Sequence, residues 1–211
     1  MKRREFALSA AALALPLGAS AQVRVPEEGR EYRRLDKAVP VEVPAGRIEV
    51  VEFFWYSCPH CNAFEPALVA WSRNLPPDVS LRRVPAAFRD DMVPQQRLFY
   101  ALEAMGKGQE LHQKVFDAIH SEKVNLTLLG PMVAWLGRQG VDTGKFTELY
   151  NSFAISAKAR RATDLQDMYT VEGVPALGVG GIWYTDTTLA SGHARALQVV
   201  DYLVAQVRKT R

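Results

Sequence analysis

Apolar and polar residues follow three different rhythms along this chain. In GRIEVVEFFWYS, residues 46–57, β-branched and aromatic side chains run almost without interruption from Ile48 to Tyr56, the pattern of a central strand buried on both faces. In SCPHCNAFEPALVAWSRNL the period changes: Phe64, Leu68 and Trp71 recur at helical spacing. Ser57 stands where an N-cap is expected and Pro59 suits a first helical turn, whereas Pro66 inside the pattern predicts a kink. PPDVSLRRVPAAF, residues 76–88, predicts a turn and a second strand with Val79, Leu81 and Val84 inward.

Residues 89–170 are helical in rhythm. Leu98, Ala101, Leu102 and Met105 form one apolar stripe; Leu111, Val115, Ala118 and Ile119 form a second, flanked by His112 and His120, which are expected in solvent. Leu128, Met132, Trp135 and Leu136 form a third, and Asp142 caps a fourth carrying Phe146, Leu149, Tyr150 and Phe153. The pattern runs on through Ala159, Ala162, Leu165 and Tyr169. Such stripes read as the core of a helical subdomain, not as a cofactor box. After Gly173-Val174-Pro175, ALGVGGIWYTD predicts a hairpin around Gly180-Gly181. ARALQVVDYLVAQVRK predicts a closing helix with Leu197, Val200, Leu203, Val204 and Val207 on one face. The order of elements is that of an α/β chain, without internal repeats. Residues 22–40, mixed and polar with Pro26 and Pro40, read as an arm leading into the domain.

The start of the chain changes the cellular picture. MKRREF is basic, ALSAAALALPLGA is apolar but short, and Ala19-Ser20-Ala21 has the small-x-small pattern of a cleavage site. Residues 1–21 therefore read as a secretory signal peptide. Arg3-Arg4-Glu5-Phe6 resembles a twin-arginine signal only in part, so the export route stays open. Beyond residue 21 there remain 23 basic against 22 acidic residues. That balance, with no basic run interleaved with aromatics, gives no sign of nucleic-acid binding. No later apolar run reaches transmembrane length, so the exported protein is expected to be soluble, in a compartment where disulfides persist.

The chain has two cysteines, Cys58 and Cys61, both in CPHC. As a staple the pair would close a very small loop, which stabilises least, and a chain of this length can bury a full core without it. As half of a zinc site it lacks a second pair, and His112, His120 and His193 are not spaced as ligands. Chemistry is the favoured reading. The pair sits where a buried strand ends and a helix begins, so Cys58 faces unpaired N–H groups and the positive end of the helix dipole. Both favour thiolate, and a cationic His60 would add to the effect. Cys61, one turn deeper, is expected to be buried and less reactive. A stabilised thiolate makes the disulfide more oxidising, by on the order of 30 mV per pKa unit.

VEFFWYSCPHCNAFEP, YNSFAISAKAR and VEGVPALGVGG together resemble the DsbA family of periplasmic thiol:disulfide oxidoreductases. The resemblance covers most of the exported chain. It implies a thioredoxin-like α/β fold with an inserted helical subdomain: residues 22–88 and 171–211 would form the thioredoxin-like domain and residues 89–170 the insertion. It further implies that Cys58 is the exposed nucleophile, Cys61 its buried partner, and Pro59 and His60 the dipeptide that tunes redox poise. Pro175 would be a cis-proline, with Val174 offering its backbone to a bound peptide. Glu52 matches an acid beneath the active site that assists proton transfer, and Arg83 is its expected partner on the next strand. The family usually has a base there that can cycle a proton, which arginine does not. Gly178 is a second departure: a larger apolar residue is expected, and its absence would thin the peptide groove.

The implied reaction is oxidation of cysteine pairs in exported, reduced or unfolded proteins through a mixed disulfide at Cys58. A quinone-linked membrane protein of the DsbB type would reoxidise the pair. No metal or organic cofactor is implied, and the protein is expected to act as a monomer in the periplasm. Two alternatives remain open on sequence alone. One is a reductase or isomerase on the same fold, although residues 22–40 are too short for a dimerisation domain. The other is a peptide-binding chaperone with incidental cysteines.

Overall fold

Val50, Val51, Phe53 and Phe54 are wholly shielded from solvent, and the strand that carries them organises the molecule. The computed structural model describes residues 24–210, so the expected signal peptide lies outside the described residues. Among these, β1 (Arg33–Arg34), β2 (Ile48–Phe54), β3 (Val79–Pro85), β4 (Ala176–Val179) and β5 (Trp183–Asp186) form one sheet in the order β1-β5-β4-β2-β3. β2 and β3 are parallel, with Glu52 opposite Arg83, and the other pairings are antiparallel. A parallel pair needs a crossover, and α1 (Pro59–Ser72) supplies it. α1 continues through Pro66 as one element.

Between β3 and β4 stand a short 3-10 helix, Asp90–Met92, and five α-helices: α2 (Val93–Ala104), α3 (Gly108–His120), α4 (Leu129–Arg138), α5 (Thr143–Asn151) and α6 (Phe153–Met168). α7 (His193–Lys209) closes the chain. The two faces of the sheet bury different partners because side chains alternate along β2. Ile48 and Val50 pack with Phe64 and Leu68 of α1 and with the apolar face of α7. Val51 and Phe53 pack on the other side with Ala162 of α6 and with Tyr169. Phe54 and Tyr56, at the end of β2, plug into the core of α2 to α5, among Leu98, Leu111, Phe116, Trp135 and Phe146.

Asp142 caps α5 by accepting the Lys145 N–H at 3.0 Å, as its sequence position predicts. Several expectations need correction. The arm before Pro40 is packed into the domain. Tyr32, Leu35 and Val39 are buried, β1 extends the sheet, and Gly181 donates no space at that edge: a Cβ there would lie 2.2 Å from the Val39 carbonyl oxygen. A two-residue strand is too short to show a period. Leu128 and Phe153 leave their stripes. Leu128 precedes α4 and is exposed, and Phe153 begins α6 behind its own cap, Ser152, whose hydroxyl accepts the Ile155 N–H. Gly180 and Gly181 both have positive φ, as a tight turn between twisted strands requires.

Gly178 does not thin a groove. It lies opposite Val51 and Tyr184 in the sheet, and a Cβ there would meet the Tyr169 ring at 2.2 Å. The volume a larger residue would take is filled by an aromatic ring from just beyond α6.

Candidate active site

The strand-to-helix junction places the two sulfurs. β2 ends at Phe54, the Cys58 N–H donates to the Trp55 carbonyl at 3.0 Å, and Pro59 starts α1. Cys58 itself, not Ser57, is the N-cap residue, and no side chain caps the helix. Ser57 is used otherwise. Its N–H donates to Gln95 Oε1 at 3.2 Å, and its hydroxyl accepts from Gln95 Nε2 at 2.7 Å, which ties the junction to α2.

Both cysteines are free thiols, and their surroundings differ. Cys58 is 7% exposed and Cys61 is fully buried. Hydrogen bonding from the Cys61 thiol is the main influence that holds Cys58 down at about 6. The backbone N–H groups of Cys61 and His60 add to it, with the His60 charge the weakest contributor, while burial opposes. Burial pushes the Cys61 thiol up strongly, and its neighbour Cys58 pushes it further. A buried thiolate lacks solvation, whereas one at a helix start has donors waiting. Pro59 and His60 are exposed at the first turn.

The chain brings a distant segment to this point. The Val174–Pro175 peptide bond is cis, and the Cys58 thiol donates to the Val174 carbonyl at 3.4 Å. An extended peptide laid beside Val174 would therefore run next to the sulfur.

Glu52 is buried at 1% exposure, and Arg83 pairs with it, Nε to Oε2 3.2 Å. Burial pushes Glu52 up to about 8; the charge of Glu65 raises it further and Arg83 opposes both. Its charge acts on Cys61. This pair was expected from the sequence, and its further partners were not. Glu65, one turn beyond Cys61 on α1, takes the other arm of Arg83, with Nη2 2.6 Å from Oε1. His112 of α3 follows, its Nε2 3.6 Å from Glu65 Oε2 and its Nδ1 2.9 Å from the Tyr56 hydroxyl.

The expectation that His112 and His120 stand in solvent is thus overturned. His112 is 6% exposed, and His120 donates from Nε2 to the Tyr56 carbonyl at 2.8 Å. A signal was present in the sequence. His112, Phe116 and His120 recur at intervals of four, a stripe on one helix face adjoining the apolar one.

The chain is similar to known proteins in sequence and in fold. Residues 78–204 match the family described as the DSBA-like thioredoxin domain. The thiol:disulfide interchange protein DsbA of Pseudomonas aeruginosa is 43% identical over 197 residues, 93% of each chain. That of Burkholderia cepacia is 38% identical over 190 residues, 90% of each chain. The crystal structure of Pseudomonas aeruginosa DsbA superposes with a TM-score of 0.84 at 43% identity, covering 88% of this chain and 96% of that one. The oxidoreductase DsbA from Xylella fastidiosa gives 0.82 at 28% identity, covering 88% and 100%.

Proposed function

This chain belongs to the DSBA-like thioredoxin domain family and is a thiol:disulfide oxidoreductase, and we propose that it works in the oxidising direction, donating a Cys58–Cys61 disulfide to exported proteins. The observation that carries this direction is the inequality of the two sulfurs. Cys58 is held at about 6 while Cys61 is pushed up. A stabilised Cys58 thiolate favours the reduced pair, so the disulfide gives up its bond readily.

A substrate thiolate attacks Cys58 Sγ and forms a mixed disulfide there. The Cys58–Cys61 bond breaks, and Cys61 leaves with the electron pair. The substrate's second thiolate then attacks its own sulfur in the mixed disulfide, and Cys58 departs as a thiolate. Two electrons pass from the substrate's cysteine pair to the enzyme's, so the exchange calls for no metal or organic cofactor. Val174 and cis-Pro175 present the backbone along which the substrate chain lies, with Cys58 within hydrogen-bond reach of the Val174 carbonyl. Pro59 and His60 border the sulfur and tune its poise. Glu52 supplies a proton beneath Cys61. The reduced enzyme is reoxidised by a quinone-linked membrane protein of the DsbB type. The family and the leader-like residues 1–21 support a periplasmic location; among the described residues no helix is long and apolar enough to cross a membrane.

The test is the equilibrium of the Cys58–Cys61 pair against glutathione buffers, read by Trp55 fluorescence or by thiol trapping. A pair that stays reduced until the buffer is strongly oxidising supports a disulfide donor. A pair already oxidised in strongly reducing buffer sinks this reading in favour of a reductase. Cys58→Ser is expected to abolish oxidation of a dithiol peptide; retained activity would point to a chaperone with incidental cysteines.

A further inference from the structure

Two carboxylates, Glu52 and Glu65, share one guanidinium, that of Arg83, and all three lie in or at the edge of the core. One negative charge is left over. An unpaired charge in low dielectric is costly, so the cluster retains a proton. Its chemistry depends on which acid holds that proton. Of the two, Glu52 is the one whose charge acts on Cys61.

His112 bears on the choice. Arg83 occupies Glu65 Oε1, and His112 Nε2 stands 3.6 Å from Oε2; neither His112 Nε2 nor Glu65 Oε2 has a hydrogen-bond partner among the described residues. On the other side of the ring, Nδ1 meets the Tyr56 hydroxyl at 2.9 Å. The rest of the ring is enclosed by Phe54, Phe99 and Phe116. Tyr56, Glu65 and Arg83 are thus the titratable or charged groups that act on it, from the strand-to-helix junction, α1 and β3. Burial favours the neutral imidazole. A neutral ring that accepts the Tyr56 hydroxyl at Nδ1 carries its own proton on Nε2, the atom turned toward Glu65.

We propose that His112 is a positioning residue for disulfide exchange: seated by Tyr56, it turns Nε2 toward Glu65 Oε2, the carboxylate oxygen that Arg83 does not occupy, and so leaves the buried cluster's proton on Glu52, whose charge acts on Cys61. The inference rests on the oxidase reading above. When the substrate thiolate bonds to Cys58, the Cys58–Cys61 bond breaks and Cys61 departs as a thiolate. Its surroundings favour the thiol, so it takes a proton; Glu52 gives one up and becomes a carboxylate. Without His112, no N–H faces Glu65 Oε2, and the cluster's proton is no longer confined to Glu52. Tyr56 links this arrangement to the active site, two residues before Cys58, and α3 fixes it at both ends through His112 and His120.

The experiment follows the carboxyl carbons of the glutamates by carbon-13 NMR against pH in the reduced protein, with Glu52→Gln to assign the Glu52 signal. Alongside it, the rate of oxidation of a dithiol peptide by the disulfide form is measured over the same pH range. His112→Phe fits an aromatic surround. It is expected to lower the Glu52 midpoint by about one pH unit, and above pH 8 to slow the exchange by up to about tenfold, the ratio that one unit represents. His112→Gln, whose amide N–H can face Glu65 Oε2, is expected to restore both. If His112→Phe lowers the melting temperature but leaves the Glu52 midpoint and the pH profile in place, the proposal is overturned and His112 is only packing. Should His112→Phe not fold, Tyr56→Phe decides by the same readout: a smaller shift in the same direction supports the proposal, and an unmoved midpoint overturns it. The titration needs no substrate. A wild-type protein that oxidises no dithiol would therefore refute the oxidase reading while the Glu52 midpoint still decided the role of His112.

Discussion

At the start of α1, Cys58 meets open N–H groups, an exposed Pro59 and His60, and the backbone of a cis-proline loop. One turn below, Cys61 is sealed from solvent, and past it lies a cluster of two acids, an arginine and a histidine. The upper region stabilises a charge by offering it donors. The lower one penalises charge by withholding water, so its groups must share protons and partners. The same residue type is driven in opposite directions within four positions. A disulfide donor needs both behaviours, because one sulfur must be a good leaving thiolate and the other must be retired as a thiol.

Removing Arg83 disturbs the lower region most. Arg83→Met leaves Glu52 and Glu65 facing each other without their shared cation, and is expected to cost about 3–5 kcal/mol in denaturant unfolding at pH 8. A loss close to zero would mean that the cluster relaxes by protonation alone. The second effect has the opposite sign. Glu52 lies at about 8 in the folded protein against an ordinary 4.5, so the folded state binds more protons between those values. Its contribution is most favourable below about 4.5 and declines as pH rises to about 8. Glu52→Gln, which leaves Glu65 to pair with Arg83, is therefore expected to flatten that decline and to stabilise the protein by roughly 1–4 kcal/mol at pH 8, measured as unfolding free energy against pH. An unchanged slope would show that Glu52 is not the proton's seat.

A third test separates packing from the substrate surface. Gly178→Ala places a methyl against the Tyr169 ring and is expected to cost about 1–3 kcal/mol in stability while leaving the rate of peptide oxidation alone. A changed rate with unchanged stability would return Gly178 to the groove. The smallest effect concerns the upper region itself. His60 is the weakest of the influences on Cys58, so His60→Ala is expected to raise the Cys58 titration, followed by thiolate absorbance, by no more than about one pH unit. A larger rise would show that the histidine, not the Cys61 thiol and the backbone N–H groups, sets the thiolate. In the wild type this depressed thiol also makes the reduced form's stability pH-dependent. The gain is complete above the ordinary value of 9.0 and is lost as pH falls through about 6.

By itself the sequence determined what depends on neighbours along the chain. β2 is legible because continuous burial demands continuous apolar character, α1 because its period changes at Pro59, the turn at Gly180-Gly181 because only glycine takes such angles freely, and the reactive pair because two cysteines at a strand-to-helix boundary meet the helix start wherever it folds. Tertiary structure alone added Glu65 and His112 to the Glu52–Arg83 pair. Glu65 and His112 are 47 positions apart and carry no shared pattern, so nothing local could pair them. The spacing of His112, Phe116 and His120 marks one helix face, but it does not say that this face meets the Tyr56 hydroxyl. Gly178 reads as a missing side chain until Tyr169 fills the space. Local periodicity fixes which face of an element is apolar; only packing fixes what that face meets, and a buried charge takes its properties from what it meets.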